Sequence, residues 1–262
     1  MTTGFTAISD APLDDAFATI ADSPFEFIEL PMSRWDAAWL ADAHETVASA
    51  AEAVDAGLVV HLPYGAPHES LAASDADLRA ESMAWYEQNI LAAAAAGATK
   101  AVVHVETDAD SPHLAEADPA MLYETLETLD ARADDAGITL CVENLPNRYP
   151  SLDDLRQLVE ATDVALTVDT GHARVNGFAF EEIVAFVADH HDRIAHFHLN
   201  DTRRARDEHL PFGAGDVAFG ELFAALGSGW SGTLTTEIKT FDYDYIRFSG
   251  EKLRDVLATI AA

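Results

Sequence analysis

The feature that most constrains the fold is an eightfold alternation of short apolar segments with longer amphipathic segments. The short segments have the length and composition of buried strands, and the longer ones have the apolar spacing of surface helices. The predicted strands are 4–9, 25–30, 58–62, 100–105, 139–143, 165–169, 194–199 and 233–238. The predicted helices are 13–21, 35–56, 75–96, 119–136, 152–161, 180–191, 219–226 and 243–260.

Eight strand–helix units in 262 residues have the count and length of an α/β (β/α)8 barrel, the TIM barrel. The main alternative is an open doubly wound sheet, which requires a glycine-rich turn after its first strand. The stretch "AISDAPLDD" contains no glycine, and no linker-like segment divides the chain. We therefore predict a single TIM-barrel domain over residues 1–262.

Composition limits the setting of the protein. Hydrophobic residues make up 49% of the chain, no apolar run is long enough to cross a membrane, and the only cysteine is Cys141. We expect a cytoplasmic protein without a membrane partner. The formal net charge of −31, with few lysines, resembles proteins of salt-loving organisms, in which concentrated salt screens charge over about 3 Å.

Polar side chains stand where the predicted strands end. In a TIM barrel these ends converge on one mouth, where active sites are built. The strand-end residues are His61, His104, Glu143, Asp169, His198 and Glu237, and the adjoining loops add His172, Asp207 and His209. So many imidazoles and carboxylates in one apolar setting would be costly to desolvate without a cation to share. The pattern therefore predicts a metal site.

Other polar residues in the strands have plainer interpretations. His196 lies two residues before His198 on the same strand and is interpreted as a structural or supporting residue one layer deeper. Glu29 ends the second strand, but it fits a buried ion pair equally well and is left out of the site. His68, in the loop after the third strand, is near enough to reach a substrate.

The motifs around these residues resemble a known superfamily. The segments "VENLP", "VDTGHA", "HFHLND", "DEHLPFGAGD" and "TTEIK" are similar to the xylose-isomerase-like barrels over nearly the whole chain. That superfamily includes sugar-phosphate isomerases and epimerases, and also the DNA-repair enzyme endonuclease IV.

In the isomerase and epimerase branch, the resemblance implies one Mn, Mg or Co ion held by four residues: Glu143, Asp169, His198 and Glu237. It also implies that Glu143 and Glu237 remove and return a proton through a metal-stabilised enediolate, while His172 orients a substrate oxygen. The substrate would be a small sugar or sugar phosphate.

In the endonuclease IV branch, the resemblance implies three Zn ions on nine ligands, and all nine positions are filled. They are His61, His104, Glu143, Asp169, His172, His198, Asp207, His209 and Glu237. The start of this chain lacks the glycine-rich, histidine-bearing segment of that enzyme, and Tyr64 is the only obvious residue for stacking on nucleic acid. The match indicates a multinuclear site more strongly than it indicates action on abasic DNA.

Arginines are concentrated near the same rim. The predicted anion-binding set is Arg148, Arg174, Arg203, Arg204 and Arg206, in loops after strands five to seven, with Arg34 after strand two as a further candidate. Guanidinium groups match phosphate and carboxylate geometry. The alternative is that they neutralise local carboxylates such as Asp201 and Glu208.

Three classes of function stay open, in order of preference. The first is a metal-dependent sugar or sugar phosphate isomerase or epimerase, and the second is a trinuclear zinc phosphodiesterase that acts on abasic DNA. The third is a non-catalytic barrel that binds metal or sugar. A homo-oligomer is compatible with all three, since dimers and tetramers are common among the relatives.

Overall fold

The structure is a computed structural model that describes residues 1–9, 11–21, 23–32, 34–64, 71–105, 119–227 and 229–260, without the side chains of 34–37 and 119. Eight parallel strands form a closed barrel in the order of the chain, and pairing of the first strand with the last closes it. The predicted (β/α)8 barrel is confirmed.

Because all eight strands are parallel, their carboxyl ends lie at one rim of the barrel. The strands are β1 Thr2–Thr6, β2 Phe27–Pro31, β3 Gly57–His61, β4 Lys100–Val103, β5 Thr139–Glu143, β6 Ala165–Asp169, β7 Ile194–Leu199 and β8 Thr233–Thr236. The helices among the described residues are α1 Leu13–Ala21, α2 Arg34–Ala53, α3 Ala76–Ala95, α4 Pro119–Asp135, α5 Leu152–Ala161, α6 Thr170–Val175, α7 Phe180–His190, α8 Phe219–Ala225 and α9 Tyr243–Ile260.

Several predicted boundaries are wrong by a few residues, and one helix was not predicted. Strands β4 and β8 end earlier than predicted, so His104 and Glu237 lie one residue past their strands. Strand β1 begins and ends earlier, at Thr2 and Thr6. The unpredicted element is α6, which contains His172 and Arg174, both of which were placed in a loop.

The two faces of the strands form two different cores. Outward-facing residues such as Phe5, Val60 and Leu234 pack against the helices in one large apolar cluster. Inside the barrel, Phe27, Val59 and Val102 form a small separate cluster. A Cβ atom on Gly4 would lie 2.4 Å from the Phe27 ring, so glycine is needed there to admit this aromatic plug.

Local signals set the helix ends. Ser151 begins α5 with a capping box, in which its hydroxyl accepts from Asp154 N and the Asp154 carboxylate accepts from Ser151 N and Oγ. Gly97 and Gly137 follow α3 and α4 with φ of +89° and +78°, the left-handed conformation that ends helices before a strand. In the part of the chain that the structure describes, no helix has both the length and the hydropathy of a membrane span.

The carboxylate of Asp130, on helix α4, destabilises the folded state at neutral pH. Partial burial and then the charge of Asp134 raise the pKa of Asp130 from its ordinary 3.8 to about 6, although Arg193 lowers it. The folded state therefore favours the protonated acid, and its ionisation costs stability as pH rises from about 4 to about 6.

Replacement of Asp130 by asparagine should remove this cost. We expect Asp130→Asn to raise the free energy of unfolding by about 1 kcal/mol at pH 7, after allowance for solvent screening, and to change little near pH 4. Urea titrations at both pH values measure it. Glu127→Gln, at an exposed position on the same helix, removes the same charge and serves as the control. An equal gain in the control would attribute the effect to net charge alone.

Candidate metal centre

The nine predicted ligands converge at the mouth of the barrel in three groups. Within each group the ligand atoms lie within 4.8 Å of one another. The groups are His61, His104 and Glu143; then Glu143, Asp169, His198 and Glu237; and then His172, Asp207 and His209. We call them the first, second and third ligand groups. Glu143 belongs to two of them.

Glu143 joins the first and second ligand groups through its separate oxygens. Its Oε2 lies 3.0 Å from His104 Nε2 and 3.3 Å from His61 Nε2. Its Oε1 lies 2.9 Å from His198 Nδ1 and 3.4 Å from His172 Nδ1. The last residue of β5 thus stands between imidazoles from both sides of the barrel, and only 1% of its side chain is exposed.

Asp169, at the end of β6, is held by neighbouring polar groups. Asn200 donates from Nδ2 to Asp169 Oδ2 at 2.9 Å, and the backbone N–H of His172 donates to Oδ1 at 2.6 Å. The backbone of Asp169 also exchanges two hydrogen bonds with the Asn144 amide. Asp169 is therefore the N-cap of α6, and the same turn points His172 at the mouth. A Cβ on Gly171 would lie 1.9 Å from Asn200 Oδ1, so this close packing needs glycine.

Two members of the third ligand group, Asp207 and His209, stand on the loop between β7 and α8, and the third, His172, lies in α6. His209 Nε2 lies 2.9 Å from Asp207 Oδ2, and His172 Nε2 lies 3.6 Å from Asp207 Oδ1. The loop is fastened by Asp201, which accepts hydrogen bonds from the backbone N–H groups of Gly213, Gly215 and Val217 at 2.8–3.0 Å. Asp201 is only 1% exposed, and its carboxylate thus holds the loop that carries the two candidate ligands.

Burial and mutual charge shift the ionisation of these groups in opposite directions. Burial alone would raise the pKa of Glu143, but the His198 charge and hydrogen bonds from His104 and His172 outweigh it and hold that pKa well below its usual range. Burial raises the pKa of Asp169 to about 7, against the opposing His172 charge and with help from Glu237.

The imidazoles respond to the same field. Burial disfavours the charged form of both His198 and His172. Even so, the negative charge of Glu143 raises the pKa of His198 well above its ordinary value, and that of Asp169 does the same for His172. The carboxylates of Glu237 and Asp207 likewise raise the pKa of His209 to about 9 against burial. Bound protons therefore provide the positive charge that the carboxylates require.

The donor set fits a divalent cation. Three carboxylates and one imidazole form the second ligand group, which suits Mn²⁺, Mg²⁺ or Co²⁺, whereas the imidazole-rich first and third groups suit Zn²⁺. Among the described residues, the buried atoms Glu237 Oε2 and Asp207 Oδ1 have no hydrogen-bond partner. Each faces an imidazole nitrogen, at 3.2 Å from His198 and 3.6 Å from His172 respectively, without a hydrogen bond of good geometry, which is consistent with ligand positions.

Glu29 was left out of the predicted site, and the structure places it directly behind that site. Its carboxylate is fully buried on β2 and lies 3.0 Å from His196 Nε2 and 2.9 Å from His198 Nε2. His196 is also fully buried, one layer below His198, as predicted. Glu29 lies in the middle of β2 and not at its end, and its contacts are those of the buried ion pair that the sequence allows as the alternative.

The arginines of the predicted anion site are partly engaged with carboxylates. Arg203 lies 2.6 Å from Glu208, while Arg204 and the buried Arg174 both bind Asp216, the latter at 3.2 Å. These pairs agree with the alternative that the arginines neutralise nearby carboxylates. Asp216 is a partner that was not predicted from the sequence.

Arg206 and Arg148 are exposed, Arg206 lying 4.0 Å from Glu208 and Arg148 in the turn between β5 and α5. The anion-binding role of the five arginines stays a prediction. His68 and the side chain of Arg34 lie outside the described residues.

Tyr64 stands at the mouth above the first ligand group. Its ring stacks on His104 with a centroid distance of 4.5 Å and meets the edge of His61 at 5.6 Å, while 56% of the residue is exposed. An aromatic face beside candidate metal ligands can contact a bound substrate.

The chain belongs to the xylose isomerase-like TIM barrel family, whose model matches residues 17–260. Among curated proteins, the uncharacterized protein MJ1311 of Methanocaldococcus jannaschii is 30% identical over 125 residues, which is 45% of this chain and 42% of that protein. The chain thus spans about two fifths of the length of the curated relatives that it matches.

Two solved structures show how closely the fold agrees with others. A D-tagatose 3-epimerase-like protein superposes with a TM-score of 0.81 and 22% identity, over 100% of this chain and 98% of the other. A D-psicose 3-epimerase, solved in the presence of D-fructose, superposes with a TM-score of 0.74 and 19% identity, over 99% and 98%. At these identities the likeness establishes the fold.

The role of Asp201 in holding the loop that carries Asp207 and His209 can be tested by measuring the free energy of unfolding of a variant. Replacement of Asp201 by asparagine puts an amide N–H group opposite backbone N–H donors and removes a charged acceptor. We expect a loss of about 2–4 kcal/mol in the free energy of unfolding, measured by chemical denaturation. Asp255→Asn, at an exposed site on α9, should cost under about 0.5 kcal/mol. Equal effects would show that Asp201 does not fasten the loop.

Proposed function

We propose that the protein is a divalent-metal-dependent isomerase or epimerase of a sugar or sugar phosphate. The observation that carries this proposal is the second ligand group, in which Glu143, Asp169, His198 and Glu237 meet at the open end of the barrel. A cation held there would act as a Lewis acid on the carbonyl and neighbouring hydroxyl oxygens of an open-chain sugar.

Glu143 and Glu237 are the acid–base pair of this proposal. Both contact His198 Nδ1, at 2.9 and 3.2 Å, and they come from β5 and from the end of β8. Without a metal, the positive charge of His198 lowers the pKa of both groups against the effect of burial. A cation at the second ligand group would supply that positive charge instead, so both carboxylates would stay ionised at neutral pH. An ionised carboxylate can take a proton from the carbon beside a carbonyl. Once protonated it can return that proton to a neighbouring carbon, or its partner can return one after taking a proton from water.

His172 has the position to orient the substrate. Its Nδ1 lies 2.9 Å from the backbone oxygen of Asn144, which fixes the ring, and Nε2 is directed toward Asp207 at the mouth. A sugar oxygen at the second ligand group would meet a donor there. Names of the structural neighbours support a sugar substrate, since those proteins are described as D-psicose 3-epimerase and D-tagatose 3-epimerase-like.

The acid–base assignment predicts a loss of turnover without a loss of fold. Glu237→Gln keeps the shape of the side chain but removes the basic oxygen. With Mn²⁺ and a panel of ketoses and ketose phosphates, we expect its kcat to fall at least about 100-fold. Solvent deuterium incorporation into the substrate measures the proton step directly. Glu221→Gln, on α8 away from the ligand groups, is the control. Near-normal exchange in Glu237→Gln would rule out the assignment.

A second function has its own supporting observation, namely the first and third ligand groups. A mononuclear isomerase does not require His61, His104, Asp207 and His209 to close two further clusters around the same mouth. With three Zn²⁺ ions bound, the site would suit hydrolysis of a phosphodiester, as in abasic DNA. Tyr64 would then offer its exposed ring for stacking.

Metal content separates the two candidates. We expect one equivalent of Mn²⁺, Mg²⁺ or Co²⁺ per chain if the protein is the isomerase, measured by elemental analysis of gently purified protein. Three equivalents of zinc, together with cleavage of an abasic duplex in high salt, would support the phosphodiesterase instead. If the protein is the phosphodiesterase, His209→Asn should reduce its zinc content. If it is the isomerase, the same variant should still hold one equivalent of divalent metal.

A further inference from the structure

The barrel interior below the ligand groups contains a buried carboxylate that the proposed reaction does not use. Glu29 is fully buried on β2 and accepts from three side chains on β7 and β8. Its Oε1 lies 2.9 Å from His198 Nε2, and its Oε2 lies 3.0 Å from His196 Nε2 and 2.6 Å from Thr235 Oγ1. Both histidines therefore present their Nε2 atoms to one acceptor.

An ionised carboxylate accepts hydrogen bonds and donates none, so it determines where these protons lie. His198 and His196 must each carry a proton on Nε2 to donate to Glu29. For His196 this leaves Nδ1 facing Thr233 Oγ1 at 2.6 Å, a hydroxyl that can donate as well as accept. For His198 it directs Nδ1 to Glu143 and Glu237 in the second ligand group.

We propose that Glu29 is a positioning residue that fixes the tautomer of His198, so that the Nδ1 lone pair faces the metal position. A histidine whose second nitrogen donates to a carboxylate is oriented and becomes a more basic ligand. The inference rests on the metal site of the proposed function and is independent of the reaction carried out there.

Other imidazoles of the centre are fixed by weaker acceptors. His61 Nδ1 and His172 Nδ1 each lie 2.9 Å from a backbone oxygen, of Leu62 and Asn144 respectively. Among these three, His198 alone has each ring nitrogen within 3.0 Å of a carboxylate oxygen, and it is also the imidazole of the second ligand group. The strongest acceptor thus supports the ligand that the proposed function needs most.

The Glu29→Gln variant shows whether Glu29 fixes the tautomer of His198 or only fills space in the barrel interior. The glutamine side chain has the same shape, but it offers one acceptor oxygen and one donor nitrogen to two imidazoles. An amide nitrogen cannot accept from an imidazole N–H, so one of the two imidazoles loses the acceptor that keeps its Nε2 protonated. Where that imidazole is His198, its neutral form can carry the proton on Nδ1 and donate it to Glu143 and Glu237. Metal binding through Nδ1 would then have to reverse that tautomer.

The test measures the affinity of the His198 position for Zn²⁺ in the full chain, with no substrate present. Histidine-labelled protein is titrated against a competing chelator, and ring nitrogen signals of His198 report both occupancy and tautomer. We expect coordination through Nδ1 with Nε2 protonated in the unaltered protein. We expect Glu29→Gln to bind Zn²⁺ at this position about 10- to 100-fold more weakly.

Thr235→Val is the matched control, because it removes a hydroxyl donor from Glu29 and leaves both imidazole contacts. We expect its zinc affinity to stay within about twofold of the unaltered protein. Three results would overturn the inference: His198 coordinated through Nε2, unchanged affinity in Glu29→Gln, or an equal loss in Thr235→Val.

The unaltered protein keeps the inference testable should Glu29→Gln fail to fold, because its His198 tautomer is read directly. A chain that binds Zn²⁺ as expected but converts no sugar would contradict the proposed function and leave the role of Glu29 intact. A chain that binds no divalent ion would overturn both.

Discussion

The structure of the site depends on one buried carboxylate, Glu143, which ends β5 and touches imidazoles on both sides of the barrel. A charge this deeply buried is stable only where other groups supply positive charge or hydrogen bonds. The barrel provides them because parallel strands end at a common rim and alternate residues point inward. His61 and His104 reach one oxygen, and His198 and His172 reach the other. Removal of any of these partners would leave the carboxylate undercompensated, so the ligand groups form one electrostatic unit.

Most of the fold and the convergence of the nine candidate ligands at the mouth could be predicted from the sequence, because both depend on local periodicity. Strands β5, β6 and β7 run as predicted, and Glu143, Asp169 and His198 lie at the mouth for that reason. Helix α6 escaped prediction because six residues are too few to show a helical period. The arginine pairs escaped it because Asp216 lies 42 residues from Arg174 in the chain, and such partners follow from tertiary packing. Glu29 was equivocal, since a single strand does not show what faces it.

The barrel interior is apolar in its lower part, where it contributes to stability, and polar in its upper part, below the ligand groups. Phe27, Val59 and Val102 fill the lower part, where apolar packing contributes to stability. Above them the interior becomes polar, with Glu29 and His196 bonded to each other and closed off from solvent. Hydrogen bonds among buried side chains hold them in one arrangement. Those of Glu29 with His196 and His198 connect this layer to the second ligand group.

Protons and metal ions are alternative sources of positive charge at this centre. In the metal-free molecule His172, His198 and His209 all have raised pKa values, so imidazolium groups neutralise the carboxylates. A cation at the second ligand group must release the proton on His198 Nδ1, whereas the third group can keep its protons. Cations in all three groups would have to displace every one of them. Because Glu143 serves two groups with separate oxygens, the charge in one changes the affinity of the other, and this coupling is reciprocal. The number of ions that this centre could bind would therefore be a property of the whole centre, set jointly by metal supply and pH.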